Sequence, residues 1–132
     1  MTEPLADVRP GMTGRHEVLV TRELTVGHHV DGMPLVYATP MMVMAMESAS
    51  AAAVTGRLPP GWVTVGSEVN VRHIAPTPVG RKVVVTARVL EVAGRSILFA
   101  VEARDGERKI GEGTHRRAAV NLEAFAVKHR GG

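Results

Sequence analysis

A single acid stands in the middle of an apolar stretch. Between Asp31 and Arg57 the only charged side chain is Glu47, set among Met44, Ala45, Met46 and Ala49. A carboxylate withdrawn from water without partners costs several kcal/mol, a large share of a small domain's stability. An acid held there is either paired for structure or kept for chemistry, and the competing reading is a helix edge that faces solvent. His73 closes the run Trp62 to Ile74, in which Val63, Val65, Ser67, Val69, Val71 and His73 alternate with Glu68, Asn70 and Arg72. On the valine face His73 is either a satisfied core residue or the acid–base partner of a carboxylate on a helix that this face covers. Thr39, just before Pro40, reads as a helix N-cap. Its hydroxyl and the free N–H groups of the helix start offer a second use, holding a carbonyl oxygen.

Other candidates carry less. Ser48 and Ser50 lack the G-x-S-x-G turn that exposes a nucleophilic serine. His28, His29 and Asp31 have neither the i, i+4 helical spacing nor a third ligand, so a polar loop without metal is expected. The chain has no cysteine, which excludes disulfides, thiolate metal sites and cysteine nucleophiles. Arg116 and Arg117 are neighbours on a strand-like run, so only one of them can face inward. An inward arginine suits phosphate or carbonyl oxygen, and Arg72, Arg81 and Lys82 could extend such a patch. The net charge of +3 and pI of about 10.0 are compatible with an anionic ligand without requiring one. Nucleic acid is disfavoured, because aromatic residues make up only 3% of the chain and no basic helix is present.

These residues need elements to hold them. At 132 residues and 45% apolar content the chain fits one folded domain, 1–132, with a loose entry segment over 1–13 and a short tail over 123–132. Arg15 to Leu24 reads as a strand and Thr25 to Leu35 as a loop. A helix runs from Thr39-Pro40 to Gly56, and strands follow at Trp62–Ile74, Lys82–Val92, Ser96–Arg104 and Lys109–Leu122. The helix is apolar nearly all round and predicts burial nearly all round. No second helix of comparable length exists to enclose it, so the sheet must curl around it. The expected fold is therefore α+β, an antiparallel sheet wrapped on one long central helix. The sheet edge and outer face left over predict self-association. Pro34 to Thr55 is the nearest approach to a membrane span, but Pro40 and its small polar residues favour a core helix. With no apolar run in Met1 to Met12, a soluble, cytoplasmic protein is expected.

Three stretches resemble the fluoroacetyl-CoA thioesterase type of hot-dog thioesterase: Val36-Tyr37-Ala38-Thr39-Pro40-Met41-Met42-Val43-Met44-Ala45-Met46-Glu47, then Val65 to Pro78, then Gly111 to Arg117. The likeness extends from about Gly14 to Lys128. It implies a hot-dog fold and a catalytic Thr–Glu–His set at Thr39, Glu47 and His73. It further implies that Gly66 lies beside the acyl group, that Arg117 borders the pocket, and that homodimers carry active sites at the interface. The loop before the helix has no phenylalanine, where fluoroacetyl-specific members use aromatic residues to close the pocket. Val30 and Met33 stand there instead. No His-Gly-Gly precedes the helix, and the Asp-x4-His signature of hydratases is absent.

The expected activity is hydrolysis of a small or medium acyl-CoA to free acid and CoA. No cofactor is expected beyond the CoA of the substrate itself. Glu47 would attack the carbonyl or activate water, Thr39 would position, and His73 would move protons. The alternative is a binding module that holds an acyl-CoA or other small ligand without turnover.

Overall fold

The computed structural model describes residues 3–130. Five strands form one antiparallel sheet: β1 (Thr13–Leu19), β2 (Trp62–His73), β3 (Lys82–Ala93), β4 (Ser96–Asp105) and β5 (Arg108–Asn121). The order across the sheet is β1-β3-β4-β5-β2, so β1 and β2 are the edges. A short helix α1 (Val26–His29) and the long helix α2 (Thr39–Ala53) lie between β1 and β2, and α3 (Leu122–Lys128) follows β5. Gly106-Glu107 turns the β4–β5 hairpin, with Gly106 at φ +62°. The expected sheet curled on one helix is present. Among the described residues no helix is long and apolar enough to cross a membrane.

The core lies between α2 and the concave sheet face. Met42, Ala45, Met46, Ala49 and Ala53 bury one stripe of the helix at i, i+3, i+4 spacing. Val83, Val85, Ala87 and Val89 of β3 meet them, as do Ile97, Phe99, Val101 and Ala103 of β4. Helix and sheet approach unusually closely at two glycines. A side chain on Gly14 in β1 would collide with the Ala49 carbonyl and the Ala53 backbone, and one on Gly111 in β5 would strike Met42. Gly14 lets backbone seat on backbone, and Gly111 makes room for the Met42 side chain.

Several expectations need correction. The entry segment is not loose: Leu5 and Val8 are buried in the core, and the Gly11 N–H donates to the Val89 carbonyl. The first strand runs Thr13–Leu19, two residues earlier than expected at its start, and gives way to a 3-10 turn at Arg22–Leu24. The C-terminal tail begins as α3, capped by the Asn121 side chain accepting from the Ala124 N–H. The central helix is not buried all round. Met44 is 62% exposed, because the sheet covers one side only and leaves the opposite stripe open.

The alternation assigned to β2 also breaks. Its register against β5 shifts between Gly66 and Glu68, with Ser67 as the extra residue. Beyond that bulge Val69, Val71 and His73 pair with His115, Gly113 and Gly111 and face the helix. Before it the helix-facing residues are Thr64 and Gly66, not Val63 and Val65. One inserted residue flips every later side chain, which a strict period of two cannot anticipate.

Replacing Gly14 by Ala should destabilise the fold by about 1–3 kcal/mol, the usual range for overpacking against fixed backbone. A lowered urea midpoint would register it, and an unchanged midpoint would mean that the strand–helix contact carries no such constraint.

Candidate active site

The candidate residues fall into two groups along α2. The first sits at the helix start. Thr39 is the first helical residue and Ala38 is the N-cap, so the threonine hydroxyl does not cap the helix. Instead Thr39 Oγ1 lies 2.8 Å from His73 Nδ1. The close seating of Met42 on Gly111 brings this end of the helix against the β2–β5 pair, where His73 lies opposite Gly111. Both side chains open on a cleft of about 380 Å³ walled by Val26, Val36, Tyr37, Ile74 and Pro76. The Tyr37 ring stands edge-on to His73 at 6.4 Å, and burial raises its hydroxyl pKa to about 12. The Tyr37 hydroxyl therefore stays protonated and donates to the Met41 carbonyl. His73 Nε2 is buried without a hydrogen-bond partner. Burial holds the His73 pKa below the ordinary histidine value, and the Ala75 backbone opposes this in smaller measure.

The second group surrounds Glu47. A Cβ on Gly66 would stand 2.8 Å from Glu47 Oε1 and 3.1 Å from His115 Cε1, so the carboxylate occupies the space that a side chain would fill. Arg117 lies alongside, its Nη1 4.0 Å from Glu47 Oε1. The residue is only 8% exposed and its guanidinium is fastened by Thr64: Nε donates to Thr64 Oγ1 at 2.9 Å and Nη2 to the Thr64 carbonyl at 2.8 Å. Burial lowers the Arg117 pKa and Glu47 opposes that shift. The Glu47 side chain itself is 33% exposed, on the open side of the helix. Of the two adjacent arginines, Arg117 faces inward. Arg116 turns outward to Glu68 and Ser96.

Eight residues of α-helix separate Thr39 from Glu47, about 12 Å of rise. One chain therefore brings Thr39 to His73, and Glu47 to Gly66 and Arg117, but does not bring the two groups together. The ring beside Glu47 in its own chain is His115, which lies within the Gly111 to Arg117 stretch and was not singled out from sequence. The available signal was its i, i+2 spacing from Arg117, which puts both on one strand face. Val30 and Met33 are both about half exposed, and Val26 and Val36 line the cleft on that side. Ser48 and Ser50 donate to the carbonyls of Met44 and Met46. His28 and His29 lie on α1, not in the loop expected from Thr25 to Leu35, and His29 contacts the Glu23 carbonyl.

Residues 20–123 match the family model described as fluoroacetyl-CoA-specific thioesterase. The chain belongs to that family. It is an acyl-CoA thioesterase, a thioester hydrolase. The fluoroacetyl-CoA thioesterase of Streptantibioticus cattleyicolor is 39% identical over 129 residues, 93% of either chain. A solved structure of a fluoroacetyl-CoA thioesterase superposes with a TM-score of 0.87 at 39% identity, covering 93% of this chain and 96% of the other. A Thermus thermophilus protein described as a thioesterase superfamily member gives 0.87 at 30% identity, over 95% and 93% of the two chains. A hot-dog-like protein from Thermanaerovibrio acidaminovorans, 24% identical with a TM-score of 0.81 over 93% of each chain, shares the fold.

Burial lowers the pKa of both His73 and His115 from 6.5. The unfolded chain thus takes up more protons than the folded one as pH falls through that value, and stability must fall with pH. The urea midpoint should drop between about pH 7.5 and about pH 5.5, and the His73→Gln, His115→Gln double variant should flatten that slope.

Proposed function

We propose that the enzyme hydrolyses a small acyl-CoA, fluoroacetyl-CoA being the first candidate, through Thr39, Glu47 and His73 at a site shared by two copies. The observation that carries this reading is the Glu47 carboxylate, held open to solvent against a side-chain-less Gly66 beside a buried arginine. A thioester lying along Gly66 meets a nucleophile there and little steric resistance. The fluoroacetyl-CoA named for the relatives supports the substrate class, and Val30 and Met33 take the loop positions that would adjust it.

The second copy follows from what one chain lacks. Edge strand β2 has a free hydrogen-bonding side. Around it lie the exposed Met44 stripe and Val69, which faces the helix yet is 47% exposed. An antiparallel, two-fold pairing of β2 with its copy, centred near Val69 and Asn70, sets Gly66 opposite the partner's His73. Glu47 then gains the Thr39–His73 pair that its own chain holds about two helical turns away.

In that arrangement Glu47 delivers the nucleophile to the thioester carbonyl carbon, either its own oxygen or that of a water it deprotonates. The C–S bond breaks and CoA leaves as the thiolate, which takes the proton released by water once the partner's His73 has relayed it. If a glutamyl anhydride has formed, water cleaves it, His73 accepting the proton, and the free acid departs. The partner's Thr39 keeps the imidazole oriented through its hydroxyl. Thr39 N–H and Gly66 N–H are the donors suited to the carbonyl oxygen. Lysine and arginine side chains at the rim hold the CoA phosphates. This chemistry needs no metal and no redox cofactor.

Glu47→Gln should lower turnover by at least about 100-fold with unchanged circular dichroism, the scale of losing an acid–base or nucleophilic group. Mixing Glu47→Gln with His73→Ala subunits should restore about a quarter of wild-type activity, since half of the dimers are mixed and each keeps one intact site. Mixtures as inactive as their components would rule out the shared site. A thiol-release screen across acyl-CoAs of graded size tests the substrate. Binding of every ester without thiol release would make the protein an acyl-CoA carrier.

A further inference from the structure

His115 is 1% exposed, lies on β5 two residues before Arg117, and has both ring nitrogens engaged. Nδ1 is 2.8 Å from the Glu68 carbonyl, which can only accept, so Nδ1 carries the proton. Nε2 is 3.2 Å from Arg117 Nη1, which can only donate, so Nε2 is bare. The two contacts select one neutral tautomer. The Glu68 carbonyl is brought to the ring at the Ser67 bulge, where the strand register shifts. Phe99 of β4 stacks on the ring at 6.4 Å and fixes its plane. Glu47 of α2 is the other charged group that faces it.

We propose that His115 is a positioning residue for thioester hydrolysis: as the Nδ1-protonated neutral ring it accepts from Arg117 Nη1 and holds the guanidinium at the edge of the Glu47 carboxylate. The inference rests on Glu47 being the reacting carboxylate. Thr64 satisfies Nε and Nη2 of Arg117 but makes no bond to Nη1, the nitrogen nearest Glu47. His115 supplies that missing restraint. With Nη1 drawn toward Nε2, the arginine stops 4.0 Å from Oε1 instead of closing a tight ion pair. The carboxylate keeps a neighbouring positive charge to receive it after reaction, and its lone pairs stay available. Without the acceptor, Nη1 is free to swing onto Glu47 and occupy the attacking oxygen.

The test uses the intact enzyme. His115→Phe keeps the ring shape and removes the acceptor, and should lower kcat/KM about 100-fold, the scale of a small misplacement at a reacting group. His115→Gln, whose amide oxygen reaches the position of Nε2, should recover most of that loss. In an Arg117→Met background His115→Phe should add no further loss, because its effect passes through the arginine. Nitrogen-15 NMR of the wild-type ring near neutral pH should display the neutral Nδ1–H pattern, a readout independent of whether any variant folds. Wild-type activity in His115→Phe, a full additional loss in the Arg117→Met background, or an Nε2–H ring in the wild type would each overturn the proposal. Glu47→Gln is assayed alongside: wild-type turnover there removes the underlying mechanism, whereas a dead Glu47→Gln with an active His115→Phe removes only the role of His115.

Discussion

Glu47 rests where a side chain on Gly66 would otherwise be. That exchange of space between helix and strand is the constraint around which the rest of the site is arranged. The carboxylate needs a strand without a Cβ, a cation alongside, and an opening to solvent. Gly66, Arg117 and the uncovered helix face meet those needs in turn. Arg117 is itself a costly group to bury, and it is tolerated because Thr64 and His115 take up its donors.

The fold serves this contact by seating α2 with little freedom. Three glycines lie under the helix at successive levels: Gly111 below Met42, Gly66 below Glu47, and Gly14 below Ala49 and Ala53. Gly14 lets the helix backbone approach β1 directly, while Gly66 and Gly111 leave room for the Glu47 and Met42 side chains that the helix sends toward the sheet. The same seating that fills the core delivers Thr39 to His73 and Glu47 to Gly66. Packing and site geometry are one problem here, since a small lift of the helix would separate both pairs.

A helix enclosed on one side only also leaves apolar surface uncovered. Met44 and Val69 are exposed apolar residues on the side where β2 ends the sheet. A free strand edge beside an apolar helix stripe is a surface that a second copy can cover. The bulge at Ser67 contributes here too, turning Val69 and His73 toward the helix side after Gly66.

Much of this was legible in the residues alone. A long apolar helix with no helical neighbours required a curled sheet. The isolation of Glu47, the position of His73 on a valine-rich run and the adjacency of Thr39 to Pro40 marked the groups worth following. Composition and spacing carry such information because burial and strand alternation act on each residue locally. The bulge, the tethered entry segment, the one-sided cover of α2 and the bond from Thr39 to His73 were decided only in three dimensions. So was His115: its meaning depends on a carbonyl contributed by another strand and on an arginine whose inward direction is set by the sheet. A linear chain records which groups are present. Which nitrogen faces which oxygen depends on backbone shifts of one residue, and those arise from packing between elements distant in sequence.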